Sequence, residues 1–221
     1  MKTLLTVLAA GVICAGAWAA DYVVEPAPSA GPAAEDPTYD ASIELKWDNG
    51  SSSYNIAWYT GSGTWIGNAF DISTLSSYRG LTTMRVHTGP AWPNGSWDGF
   101  RIGVFNFAGG VPGSLIWGPR FVTGSTTNYG WNDFSVGWTV PVSDDNFVAA
   151  VEQYYNYPNC DAHGVDNNST PVAPSWMYYS GTWSPYTNST GYYNLMIRVI
   201  LDTETLNVEP LSFGRAKAIY Y

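Results

Sequence analysis

Between Ser42 and Asp202 no segment of this chain holds a helical period. One theme recurs instead: short runs of alternating, β-branched and aromatic residues, separated by clusters of Gly, Pro, Asn and Asp. The candidate strands are 43–47, 54–59, 65–70, 81–88, 99–107, 115–122, 131–140, 146–155, 176–180 and 193–202. Turn sequences lie between several of them: DNGSS at 48–52, GPAWPNGS at 89–96, AGGVPGS at 108–114 and TGSTTNYG at 123–130. A strand with one apolar face needs a second layer to cover it. About ten short strands at this spacing therefore predict an all-β, two-sheet antiparallel β-sandwich of jelly-roll type.

The last strand is the most legible. Leu195, Ile197, Val199 and Leu201 alternate with Met196, Arg198, Ile200 and Asp202, so both faces are largely apolar and the strand is expected to be central. Arg198 is the exception. A charge in a central strand needs a partner, and Glu152, the only acid in the run FVAAVEQYY, is one candidate.

The opening MKTLLTVLAAGVICAGAWAAD has one early lysine, an apolar stretch from Leu4 to Ala17, and a small-x-small end at Ala17-Trp18-Ala19. That pattern predicts a signal peptide over 1–19, cleaved before Ala20, and an exported chain without a membrane span. The expected location is extracellular or at the cell surface, with the periplasm as an alternative. Residues 20–40 are rich in Pro, Ala and acids and are expected to form a linker. The sandwich is expected over 41–203. The tail 204–221 ends in Ile219, Tyr220 and Tyr221, which predicts docking onto the sandwich, with a sorting signal as the alternative.

Charge narrows the function classes. The chain carries a net −9, and removing Lys2 with the signal makes it one unit more negative. A basic patch for nucleic acid or an anionic membrane is therefore not expected. Charged residues are 12% of the chain, while Trp and Tyr number 11 and 16. With Cys14 in the signal, Cys160 stands alone, so no intramolecular disulfide is expected and stability must come from the core.

Catalytic constellations are missing. His87 and His163 are the two histidines. His87 lies in an alternating strand, and neither has a nucleophile elbow nearby. Cys160 and His163 are too close in sequence to resemble a cysteine protease pair. No pair of closely spaced strand carboxylates marks a glycosidase. The chain is thus expected not to be an enzyme and to need no cofactor. One ion remains open: the segment CDAHGVDNNS (160–169) could offer Asp161, Asp166 and Asn168 to a structural calcium.

Aromatics among turn formers are the remaining signal. Pyranose rings have an apolar C–H face that stacks on Trp and Tyr, while Asn and Asp bond the hydroxyls. Three segments have that mixture: 154–159, 180–192 and 91–97. The candidate carbohydrate-binding residues are Trp183, Tyr186, Tyr155 and Tyr157, with Asn159 and Asn188 beside them. In SWMYYSG (175–181), Trp176 and Tyr178 oppose Met177 and Tyr179, so one of the two pairs must face the core.

Several stretches in order resemble the jelly-roll β-sandwich domains of secreted bacterial proteins, often appended to extracellular hydrolases and surface proteins. They are LKWDNGSS (45–52), GFRIGVFNFAGGVPGSLIWGP (99–119), GWNDFSV (130–136), DNFVAAVEQ (145–153) and the closing WMYYSGTW and YYNLMIRVIL. The resemblance implies a non-catalytic module that binds at or outside the cell surface. A polysaccharide or glycan is the first expected partner. The alternative is a structural or adhesive surface protein that contacts other protein chains.

Overall fold

The computed structural model describes residues 22–26, 42–75, 78, 80–89, 99–122, 130–140, 145–166, 175–188, 191–192 and 194–202. All regular structure among them is β-strand, and no helix there is long and apolar enough to cross a membrane. The strands are β1 (Tyr22–Pro26), β2 (Ser42–Leu45), β3 (Tyr54–Trp58), β4 (Thr64–Asp71), β5 (Gly80–Thr88), β6 (Phe100–Ala108), β7 (Val111–Val122) and β8 (Gly130–Thr139). There follow β9 (Asn146–Gln153), β10 (His163–Asp166), β11 (Ser175–Tyr179), β12 (Thr182–Pro185), β13 (Thr187–Asn188), β14 (Gly191–Tyr192), β15 (Asn194–Leu195) and β16 (Ile197–Asp202).

They form two antiparallel sheets. Sheet A runs β1-β3-β10-β5-β16-β2, with β15 beside β10 and β8 beside β5. Sheet B runs β12-β11-β4-β9-β6-β7, and β13 and β14 make a separate ribbon. The core lies between the sheets. Ile56, Trp58, Leu81, Met84, Val86, Ile197, Val199 and Leu201 from sheet A meet Ile66, Phe70, Ile102, Val104, Phe147 and Val151 from sheet B. These are alternate residues of their strands, as a pleat demands, except at the irregularity between Leu81 and Thr83 in β5.

Polar ties fix one sheet on the other. Asn68, fully buried in β4, donates through Nδ2 to the carbonyls of Leu195 and Ile197 at 2.8 and 2.9 Å. Those carbonyls flank Met196, where β15 gives way to β16. Ser175 Oγ donates to Asn68 Oδ1 at 2.8 Å. Gln153, at the end of β9, brackets Trp58: its Oε1 accepts from the Trp58 N–H and its Nε2 donates to the Trp58 carbonyl, both at 2.7 Å. Trp47 Nε1 donates to the Ala69 carbonyl at 3.0 Å. Buried polar groups bonded this way select one sheet orientation among many that would bury the same apolar area.

Four segments depart from the sequence reading. Tyr22–Pro26, expected within a linker, pairs with β3 along its whole length as β1. YVVEP is a good strand former, and the open edge of β3 supplies the partner. His163–Asp166, expected in a loop, is a strand held between β3 and β15. Thr182–Pro185 pairs with β11 through a tight turn at Ser180 and Gly181, both at positive φ. Arg198 does not meet Glu152. It meets Asp48 and Glu44 on its own sheet, while Glu152 lies in sheet B and pairs with Arg101. The central placement of β16 agrees, with β5 on one side and β2 on the other. The signal segment 1–19, the rest of 20–40 and the tail 204–221 lie outside the described residues.

Candidate functional site: the outer face of sheet B

The outer face of a sandwich sheet is normally polar, because it meets water. Sheet B breaks that rule. Its register places Trp183, Tyr178, Trp65, Glu152, Arg101 and Phe121 directly opposite one another across β12, β11, β4, β9, β6 and β7. Residues paired in this way share a face. A single row across the sheet thus holds four aromatic rings and one ion pair.

The neighbouring row explains how such rings fit. It reads Trp176, Gly67, Ala150 and Gly103, small residues on three successive strands. A Cβ on Gly103 would sit 2.8 Å from Leu115 Cδ1 and 3.1 Å from Trp65 Cζ3. The missing side chain is what lets Trp65 lie down on the sheet. Trp65 then meets Phe105 edge-on at 5.0 Å, and Phe105 meets Trp183 at 5.0 Å. Phe107 meets Trp176 at 5.7 Å. Phe105 and Trp183 belong to strands four places apart, about 19 Å in a flat sheet. Sheet B is therefore strongly curled, and its edges β7 and β12 approach each other. Trp65, Ala69, Phe105, Val148, Ala150 and Trp176 form a second apolar cluster here, separate from the core.

Towards β7 the face turns polar and more open. Glu152 is only 6% exposed, and its Oε2 lies 3.2 Å from Arg101 Nη1. Burial pushes the Glu152 pKa up, and Arg101 partly offsets that. The Arg101 side chain is 34% exposed. Its guanidinium stacks on the Tyr154 ring at 4.4 Å. Tyr154 meets Phe121 at 5.0 Å and Tyr155 at 4.7 Å, both edge-on. Tyr155 and Phe121 are each 41% exposed. Just beyond, exposed Tyr59 in the β3–β4 turn meets Tyr157 edge-on at 5.1 Å. Asn156 Oδ1 accepts from Ser62 N–H at 3.0 Å, which ties the two loops together.

The expected binding residues are divided by this geometry. Tyr155, Tyr157 and Asn159 come together at the β9 end of the face, with Asn159 exposed and its N–H bonded to the Asn156 carbonyl. Trp183 is half-buried, at the opposite edge, and packs on Phe105 and Tyr178. Tyr186 is corrected outright: it is 3% exposed within the core between the sheets, so it is a packing residue. The side chain of Asn188 and the segment 91–97 lie outside the described residues. In SWMYYSG, Met177 and Tyr179 face the core, and Trp176 and Tyr178 face out. Trp65, Arg101, Phe121, Tyr154 and Tyr178 were not singled out as binding residues by sequence. Their common feature is register, which local pattern does not carry.

Two of the three expected calcium ligands, Asp161 and Asp166, lie among the described residues. Asp161 is buried and its Oδ2 accepts from the Gly99 N–H at 2.8 Å. Asp166 is buried in β10 and its Oδ2 accepts from the Asn49 N–H at 2.9 Å. Asn168 lies outside the described residues. Among the described residues no three His, Cys, Asp or Glu side chains gather as a metal site. Cys160 is buried and takes part in no disulfide among the described residues. His163 is buried too, edge-on to Phe100 at 5.0 Å, and burial pushes its pKa down to about 3.

The outer face of sheet A has a different character. Arg198 and Arg85 stand directly opposite each other on β16 and β5. Arg198 grips Asp48 through Nη2 at 2.6 Å and Nε at 3.1 Å. Arg85 grips Asp133 through Nε at 2.7 Å and Nη2 at 2.9 Å. Glu44 bridges the two arginines, at 3.1 Å from Arg198 and 2.9 Å from Arg85. Trp131 covers the Arg198 guanidinium at 3.9 Å and meets His87 edge-on. Burial alone would lower the Arg198 pKa, but Asp48 and Glu44 more than offset this and raise it.

No family model and no curated protein matches the sequence. Among solved structures, the chain is similar to the cysteine protease and lectin-like domains of Cwp84, a surface-layer-associated protein of Clostridium difficile. The TM-score is 0.58 at 12% identity, over 76% of this chain and 37% of that one. The chain thus spans little more than a third of the solved chain it matches. At this identity the likeness is one of fold, and it places the chain among all-β two-sheet sandwiches.

Proposed function

We propose that this chain is a secreted, non-catalytic binding module of the cell surface, and that the outer face of sheet B receives a carbohydrate. The observation that carries this reading is the cross-strand row Trp183–Tyr178–Trp65–Glu152–Arg101–Phe121. Stability alone does not call for four aromatics and a buried ion pair on an outward face, because polar residues would do there. Rings presented beside a guanidinium suit a ligand with an apolar face and a polar rim, which is what a pyranose offers. The fold likeness to a chain with a lectin-like domain supports the same reading.

Contact with another protein chain is the second reading. Val111 and Phe121, exposed on the edge strand β7, favour it, since neither offers a hydrogen bond. The test is affinity electrophoresis of the mature chain in gels containing soluble polysaccharides. Tyr178→Ala, half-buried on the outer face, should lower affinity about tenfold to a hundredfold, by analogy with stacking on bases. Met177→Ala, on the core side of the same strand, should lower the melting temperature instead. Tyr178→Ala leaving polysaccharide binding intact would move the site off this face and favour the protein-contact reading.

A further inference from the structure

The glycan reading leaves open which glycans the face accepts, and the ion pair at its centre bears on that. Arg101 is the one cation of the cross-strand row. The Tyr154 ring centroid lies 4.4 Å from its guanidinium carbon, and the side chain is 34% exposed, so its N–H groups reach the surface and can donate. Nη1 faces Glu152, and the other nitrogens have no partner among the described residues. Glu152 is withdrawn beneath, and its carboxylate meets Arg101 at 3.2 Å. It therefore supplies charge and little else. The face shows a ligand the N–H donors of an arginine whose net charge has been cancelled from below.

Resting on the glycan reading, we infer that the buried Glu152 makes Arg101 a charge-neutral hydrogen-bond donor, so that the face selects neutral glycans over acidic ones. An unpaired arginine among aromatic rings would do the reverse, because carboxylates take guanidinium forks bidentately. With Glu152 in place, an incoming uronate meets a carboxylate already within reach of the same cation. The rest of the chain adds to the discrimination, with its net charge of −9. Hydroxyl and ring oxygens of a neutral sugar carry no such penalty and still accept from the exposed N–H groups. Glu152 is in this sense a positioning residue: it acts on the ligand through Arg101.

The experiment compares neutral polysaccharides (β-glucan, xylan, galactomannan) with polyuronates (alginate, polygalacturonate) by affinity electrophoresis. Wild type, Glu152→Gln and Arg101→Met are run side by side, with melting curves to check folding. Wild type should retain on neutral chains and pass through polyuronates. Glu152→Gln keeps the shape and removes the charge, so its preference should swing towards polyuronate by at least about tenfold, and that gain should fade with salt. Arg101→Met should lose about tenfold in neutral-chain affinity and gain nothing on polyuronates. Wild type binding polyuronates as well as neutral chains overturns the inference and leaves the glycan reading standing. So does a Glu152→Gln variant with unchanged preference. Wild type retained by no polysaccharide of either kind overturns both.

Discussion

On the outer face of sheet A, two arginines face each other and three acids answer them, with bidentate grips at both ends. On the outer face of sheet B, one arginine meets one acid through a single contact, beside the partly exposed rings of Tyr154 and Phe121. Like charges directly opposite in a sheet repel, so Arg85 and Arg198 are tolerable only because Glu44 lies between them. The A-side network is closed and offers little to a ligand. Elsewhere in sheet A, Asn55 is buried against Gly89 with neither amide atom bonded among the described residues. The B side has donors to spare at Arg101 and half-exposed rings beside them. The contrast separates charge that holds the sandwich together from charge left available at a surface.

The sharpest way to break this contrast is to remove an acid from the closed side. The Asp48 side chain is fully buried and makes two contacts with Arg198, itself only 7% exposed. Asp48→Ala leaves a buried guanidinium with Glu44 alone. Stranding a buried charge of this kind costs about 3–5 kcal/mol. Urea denaturation should show that loss as a lower midpoint with an unchanged slope. Asp133→Ala is the control, since that carboxylate is nearly half exposed; it should cost no more than about 1 kcal/mol. Equal costs for the two would mean that the network is not graded by burial, and the closed-side description would fail.

Acid is a gentler probe, and it reaches the two sides with opposite signs. His87, beside Trp131 on the A side, has its pKa pushed down to about 4; burial dominates, Asp48 pulls it up and Arg198 pulls it down. His163 falls to about 3 through burial. Both are neutral in the fold and protonate more readily when unfolded. Below about pH 6.5 the unfolded chain therefore binds more protons. Stability is full above that pH and falls as acid is added, by roughly 1.4 kcal/mol per pH unit for each histidine until its folded pKa is reached. His163→Phe should flatten the fall between pH 6.5 and 4.5 by about half. An unchanged fall would show that His163 is not held neutral in the fold.

The sequence made the sandwich legible because strand alternation and turn residues are local signals. Nine of the ten expected strands appear as single strands, displaced by a few residues at their ends, and the tenth, 193–202, is divided at Met196 into β15 and β16. β10 escaped because HGVD has no alternation; its partners β3 and β15 define it. The site was less legible. Tyr155 and Tyr157 were found by composition, but the same rule picked Tyr186, which the chain turns into the core just after β12. Glu152 stands out in sequence as the odd acid in an apolar run and as one candidate partner for Arg198, but its cation is Arg101. Five cations (Lys46, Arg85, Arg101, Arg120 and Arg198) lie within the expected strands, and only the division of strands between sheets decides that Glu152 meets Arg101 and Arg198 meets Asp48. Pairing across strands far apart in the chain is the information that one sequence does not print.

The smallest expected effect sharpens the contrast most, because its sign differs from the first. Glu152 has its pKa raised, chiefly by burial, with Arg101 returning only part of the loss. A carboxyl group with a raised folded pKa stabilises the fold while it is protonated, and that contribution is lost as pH rises through the folded value. In its ionised form the buried Glu152 charge opposes the fold. Glu152→Gln removes the charge and keeps the shape, so the variant should lose no stability at pH 7 and gain slightly. The gain should vanish by about pH 4, where the wild-type group is itself protonated. Arg101 tolerates the change because it is a third exposed and still rests on Tyr154. Urea midpoints of wild type and Glu152→Gln at pH 4 and pH 7 test this directly. A clear loss at pH 7, comparable to that of Asp48→Ala, would place Glu152 in a structural network like that of sheet A. A neutral or positive outcome marks an ionised acid that stability does not require, which is the behaviour of a group kept for what it does to Arg101 at the surface.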